Sequence, residues 1–217
     1  HFIRTYLERD VPQFGFRIPA ETLERLWTML AHSQGGLLNA AKLGASLSLT
    51  GRTISNYIDL LSDLLMVRRL QPWHAKTKKR LLKSPRVYVR DSGLVHALLG
   101  LADFAQVAGH PVLGSSWEGF VIETLLAFAP DRSLAGFYRT SAGAEIDLVL
   151  QLPGKTKPWA IEIKYGLTPK PSRGFHHAIE DLNADKAFVV YSGDERYPLN
   201  ENTEAISLRE LSALLCK

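Results

Sequence analysis

Asp147, Glu162 and Lys164 stand in two alternating stretches, Glu145-Ile146-Asp147-Leu148-Val149-Leu150 and Trp159-Ala160-Ile161-Glu162-Ile163-Lys164. The two-residue period of a strand places Glu145 and Asp147 on one face, with Ile146, Leu148 and Leu150 on the other. It likewise sets Glu162 and Lys164 against Ile161 and Ile163. The link between them, Leu152-Pro153-Gly154-Lys155-Thr156-Lys157-Pro158, is short and rich in turn residues, which predicts an antiparallel pair. Pairing about that link brings two carboxylates and an ammonium together. Adjacent carboxylates repel, and a hard divalent cation such as Mg²⁺ or Mn²⁺ relieves the repulsion while keeping sites for water and phosphate oxygens. Such an ion lowers the pKa of a bound water and offsets charge on a scissile phosphate, and Lys164 adds a fixed positive charge for the transition state. Glu118, in Trp117-Glu118-Gly119-Phe120 on a predicted helix, can complete the metal shell. The expected catalytic set is Glu118, Asp147, Glu162 and Lys164, with the three acids as metal ligands.

The elements that must position these residues form an α/β pattern. A helix is predicted over residues 116–128, strands over 136–139, 145–151 and 159–164, a helix over 172–182, a strand over 187–191 and a closing helix over 208–215. Strands interleaved with helices predict a mixed central sheet flanked by helices. The first part of the chain is different. A short helix is predicted over residues 2–10, stopped by Pro12, then helices over 21–32 and 39–44. A third helix capped by Thr50 carries an apolar stripe of Ile54, Ile58, Leu61 and Leu65. Three helices with a tight turn before the third are the layout of a helix-turn-helix. A strand over 66–70, a basic turn over 75–80 and a return strand at Leu81-Leu82 extend it to a winged helix. Arg52, Thr53 and Asn56 on the third helix, with Lys76, Lys78, Lys79 and Arg80 in the turn, are the candidate contacts to nucleic acid, DNA in the first place.

The charge distribution agrees with that division. Residues 1–110 hold 15 Lys/Arg against 8 Asp/Glu, whereas residues 111–217 hold 11 against 14. From Arg68 to Arg90 there are nine basic residues and no acidic one, as a polyanion contact requires.

Helix-Glu, strand-Asp and then Glu-x-Lys on the next strand resemble the PD-(D/E)xK nuclease superfamily, although Ile146 stands where the superfamily's name has Pro. The segments Lys83-Ser84-Pro85-Arg86-Val87-Tyr88-Val89-Arg90-Asp91-Ser92-Gly93-Leu94, Trp117-Glu118-Gly119-Phe120-Val121, Glu145-Ile146-Asp147 and Ile161-Glu162-Ile163-Lys164 resemble an uncharacterised C-terminal domain that follows an AAA+ ATPase module in bacterial and archaeal proteins. The resemblance implies a winged helix-turn-helix over residues 1–80 and a restriction-endonuclease-like domain over residues 83–217. It also implies an N-terminal AAA+ ATPase partner in a longer parent, consistent with a sequence that starts at His1. No phosphate-binding glycine loop occurs in these residues, since Leu152-Pro153-Gly154-Lys155-Thr156 lacks the first glycine at the required spacing.

Composition bounds the rest. With 46% hydrophobic residues among 217, packed cores can form, and no apolar run approaches the roughly 20 residues of a membrane span. The single Cys216 excludes a disulfide framework or cysteine metal site, so a cytoplasmic compartment is expected. The expected function is DNA-binding, Mg²⁺-dependent phosphodiester hydrolysis. The alternative is a catalytically inactive interaction module, for DNA or protein, that regulates the attached ATPase.

Overall fold

The computed structural model describes residues 2–15, 18–74 and 79–216 of the protein. The chain is a mixed α/β protein that divides into two compact units: residues 1–69 with 87–116, and residues 70–86 with 117–217. The division is therefore not a single cut near residue 80. The chain enters the second unit at Leu70, returns to the first at Val87 and leaves it again after Ser116.

The first unit is helical with a small sheet. Its lead-in comprises α1 (Phe2–Thr5), a π-helical turn (Tyr6–Asp10) and α2 (Val11–Gln13). Pro12 does not end the lead-in. It lies in the first turn of α2, where its missing N–H has no helical partner to lose. Three helices follow: α3 (Ala20–His32), α4 (Ala40–Leu47) and α5 (Gly51–Asp63). Asn39 caps α4 by accepting from the Lys42 N–H, and Thr50 caps α5 by accepting from that of Thr53. Leu23, Leu26, Trp27 and Leu30 of α3 share one buried core with Ile54, Ile58 and Leu61 of α5.

The two-stranded sheet pairs β1 (Val67–Leu70) with β2 (Arg86–Val89). Gly35 N–H donates to Val87 O, and Val87 N–H donates back to Gly36 O, so the link between α3 and α4 adds a third backbone segment to β2. The return strand expected at Leu81-Leu82 is thus displaced to Arg86–Val89. The reason lies in the backbone: Trp73 N–H donates to Phe137 O, Phe137 N–H to Gln71 O, and Leu82 N–H to Arg139 O. Gln71, Trp73 and Leu82 are committed to the second unit's sheet and are not available to β1. Helices α6 (Ser92–Leu98) and α7 (Phe104–Ala108), capped by Asp91 and Asp103, complete the first unit.

His96 of α6 shares a hydrogen bond with Ser116 Oγ at 2.9 Å. Burial lowers its pKa from the ordinary 6.5, and the charge of Asp91 opposes this only in part. The unfolded chain therefore takes up the proton first, and stability is lost as pH falls through that ordinary value. A urea midpoint that drops between pH 7.5 and pH 5.5, with a smaller drop in His96→Gln, is the expected result. An identical drop in the variant would remove His96 as the cause.

The second unit is built on a six-stranded mixed sheet in the order β3-β4-β5-β6-β8-β7. After α8 (Leu113–Phe128) come β3 (Leu134–Arg139), β4 (Glu145–Gln151) and β5 (Trp159–Ile163), paired antiparallel in succession. Helix α9 (Arg173–Leu182) then leads to β6 (Lys186–Tyr191), parallel to β5. Strand β8 (Thr203–Ser207) is parallel to β6, β7 (Tyr197–Asn200) edges the sheet, and α10 (Leu208–Leu215) closes the chain. Val149, Ala160 and Val189 pack with Phe175 and Ala178 of α9 in one core. Among the described residues no helix is long and apolar enough to cross a membrane.

Candidate acidic site

Strand β4 is not regular where it carries the acids. Gly136 pairs with Val149 and Tyr138 with Ile146, so Asp147 and Leu148 together stand opposite Phe137 alone. That bulge puts an extra residue into β4 at Asp147 and Leu148. Its effect is visible in the packing, because Ile146 and Val149 share one core cluster although a regular strand would turn them to opposite faces. The expected common face of Ile146, Leu148 and Leu150 is corrected accordingly. Pairing of β4 with β5 begins only at Leu148 opposite Ile161. Asp147 lies just beyond that ladder, and its Oδ2 accepts from the Ile163 N–H at 3.0 Å.

Four carboxylates meet at this end of the sheet, each with specific partners. Arg86 Nη1 donates to Glu118 Oε1 of α8 at 3.0 Å and to Asp147 Oδ1 at 3.3 Å. Arg86 Nη2 donates to Glu145 Oε1, and Arg139 Nε stands 3.5 Å from the other oxygen of Glu145. Arg86 is only 5% exposed, with its guanidinium carbon 5.1 Å from the centre of the Phe137 ring. Glu162 is 4% exposed. Its Oε1 and Oε2 accept from the Ser172 N–H at 3.2 and 3.0 Å, and Lys164 Nζ lies 2.9 Å from Oε1. Ser172 is the N-cap of α9, so the buried charge of Glu162 sits where free N–H groups favour an anion. Burial pulls the Lys164 ammonium down, but its hydrogen bond to Glu162 and the charges of Glu162, Asp147 and Glu118 more than offset this, leaving it raised.

Glu118, Asp147, Glu162 and Lys164 are thus held in one neighbourhood of the second unit. Sequence reasoning missed Arg86, one of nine basic residues from Arg68 to Arg90. The one local signal was a basic residue opening an otherwise apolar strand, Arg86-Val87-Tyr88-Val89. The donor set suits a hard divalent cation, being all carboxylate oxygen. Even so, among the described residues no group of three or more His, Cys, Asp or Glu side chains is arranged to hold a metal ion. Arg86 takes up oxygens of Glu118 and Asp147, the two acids that would otherwise face such an ion together.

The candidate nucleic-acid contacts fall in different units. Arg52 and Asn56 are exposed on α5, while the Thr53 hydroxyl is 2.9 Å from that of Thr50 in the helix cap. Lys79 and Arg80 belong to the second unit, where Lys79 Nζ pairs with Asp181 of α9 at 2.6 Å. Lys76 and Lys78 lie outside the described residues.

Comparison with known proteins divides the chain at a similar place. Residues 1–105 match the family described as Domain of unknown function (DUF8612). Residues 113–211 match that described as Domain of unknown function (DUF4143), a domain that often follows AAA ATPase modules. The chain is 44% identical over 223 residues to an uncharacterized protein of Mycobacterium tuberculosis and, equally, to one of Mycobacterium bovis. The match covers 99% of this chain and 50% of each relative, so the chain spans about half the length of the curated relatives it matches. No solved structure matches the chain.

Proposed function

We propose that the second unit is a restriction-endonuclease-like domain of the PD-(D/E)xK kind, and that the protein is a DNA-binding, metal-dependent phosphodiester hydrolase attached to an AAA+ ATPase. The observation that carries this is the convergence at Asp147. One of its oxygens shares the Arg86 nitrogen with Glu118, and the other accepts from Ile163, the residue between Glu162 and Lys164. The order α8, β3, β4, β5, α9, β6, with antiparallel pairing up to β5 and parallel pairing after it, supports the fold. Glu118, Asp147 and Glu162 would hold Mg²⁺ or Mn²⁺, which when bound activates water and offsets phosphate charge. Lys164, kept protonated by the surrounding carboxylates, supplies a fixed positive charge to the phosphate in its transition state. Ser172 and Ile163 orient Glu162 and Asp147 through backbone N–H groups.

In the first unit, α3, α4 and α5 with the β1–β2 ribbon support a winged helix-turn-helix, and exposed Arg52 and Asn56 are its proposed DNA contacts. A cytoplasmic setting and the ATPase partner follow from the same proposal. One observation favours a second function, a non-catalytic interaction module regulating the ATPase: Arg86 already neutralises the acids that a metal would need. Incubation of supercoiled plasmid, branched DNA, single strands and RNA with the protein in Mg²⁺ or Mn²⁺ separates the two. Nicking by the wild type, absent in a folded Asp147→Ala variant, is expected. No cleavage of any of these substrates overturns the hydrolase and leaves the interaction module.

A further inference from the structure

A guanidinium buried among three carboxylates is a permanent cation, because arginine does not deprotonate in proteins. The planar Arg86 guanidinium lies over the Phe137 ring and is hydrogen-bonded to Glu118, Glu145 and Asp147 at once. Each contact fixes it further, and those to Glu118 and Asp147 use oxygens that a divalent ion would otherwise bind. Two cations that need the same oxygens of Glu118 and Asp147 exclude each other, by repulsion as well as by competition for lone pairs. Lys164 and Glu162 do not share this conflict, since Lys164 contacts Glu162 from a half-exposed position.

We infer that Arg86 is the resident cation of the acidic site: it holds Glu118, Glu145 and Asp147 together without metal, and a divalent ion enters only when the Arg86 side chain leaves. The inference rests on the ligand set proposed above, and it makes Arg86 a positioning residue that sets the affinity for metal. Removing the guanidinium leaves three mutually repelling, partly buried carboxylates. A variant without it is therefore less stable in the absence of metal and more responsive to its addition, since an ion that binds only the folded state stabilises that state.

The test measures Mn²⁺ binding by the electron paramagnetic resonance of the free ion, and thermal unfolding with and without Mn²⁺. The proteins are the wild type, Arg86→Met, Arg86→Gln and the double variant Arg86→Met with Asp147→Asn. Arg86→Met and Arg86→Gln are expected to bind Mn²⁺ at least about ten-fold more tightly than the wild type. Their lowered unfolding midpoints should rise with Mn²⁺ while that of the wild type barely moves, and Asp147→Asn should abolish the gain. Equal Mn²⁺ affinity in folded wild type and variants overturns the inference, as does a gain that survives Asp147→Asn. Should both single variants fail to fold, arginine side-chain ¹⁵N resonances of the wild type decide the matter. Mg²⁺ saturation is expected to shift and mobilise the Arg86 signals, and saturation that leaves them unchanged overturns the inference. The hydrolase proposal fails separately: Arg86→Met that gains Mn²⁺ but, like the wild type, cuts nothing upholds the resident cation and removes the enzyme.

Discussion

Lys164→Ala is expected, on the proposed hydrolase mechanism, to slow cleavage by about 10²–10³-fold, the usual loss when one preorganised charge facing the transition state is removed, while unfolding within a few degrees of the wild type. The two effects separate because Lys164 contributes little to the fold. Its side chain is 40% exposed and its ion pair with Glu162 is partly screened, worth at most about 1 kcal/mol. Glu162 keeps both of its contacts to the Ser172 N–H when the lysine is gone. Its chemical role differs because the ammonium lies in the field of Glu162, Asp147 and Glu118, which hold its pKa raised against the opposing effect of burial. It is therefore charged throughout the neutral range, and in the proposed mechanism its role is that of an electrostatic group, not of a base. Its stabilising contribution is present at neutral pH and lost only as pH rises through that raised value. Single-turnover cleavage of labelled DNA, with circular dichroism melts of the same samples, measures both quantities. Full cleavage by Lys164→Ala would end its assignment to the site.

What could be read from the sequence was mainly local. Thr50 is visible as a cap because a hydroxyl residue directly precedes an amphipathic run, and Asp147, Glu162 and Lys164 are visible because alternation marks their strands. Leu81-Leu82 and Arg86-Val87-Tyr88-Val89 are both short apolar stretches after a basic turn. Which of them pairs with β1 depends on Gln71, Trp73 and Leu82 hydrogen bonding to β3 more than fifty positions later, and no local pattern carries that. The bulge at Asp147 is hidden for a related reason. It exists only relative to Phe137 on the neighbouring strand, and the unbroken alternation of Glu145 to Leu148 gives no sign of it. Arg86 combines both difficulties. Its type is that of the surrounding basic run, and only the long-range register places it beneath three carboxylates.

Phe137→Ala is expected to destabilise the second unit by about 3–5 kcal/mol, the range for removing a fully buried aromatic ring, which lowers its unfolding midpoint by roughly 10–20 °C. Phe137 is 0% exposed and stands alone opposite the two bulged residues of β4, so no neighbour on its own strand can fill the space. Its N–H and C=O are already fixed to Gln71 and Trp73, which keeps the backbone from collapsing into the cavity. The ring also lies against the Arg86 guanidinium, an interaction worth about 0.5–2 kcal/mol in a desolvated setting. Phe137→Leu separates these contributions. It retains most of the apolar volume but loses the aromatic face, so it should cost only about 1–2 kcal/mol. Because Arg86 then rests on an aliphatic surface, its hold on Glu118 and Asp147 weakens, and Mn²⁺ affinity should rise in Phe137→Leu without any change to a carboxylate. Calorimetric unfolding of the three proteins, with Mn²⁺ titration of the leucine variant, tests the packing and the electrostatics in one series. A Phe137→Ala variant within 1 kcal/mol of the wild type would mean that the ring does not support the acidic end of the sheet, and its contact with Arg86 would carry no structural weight.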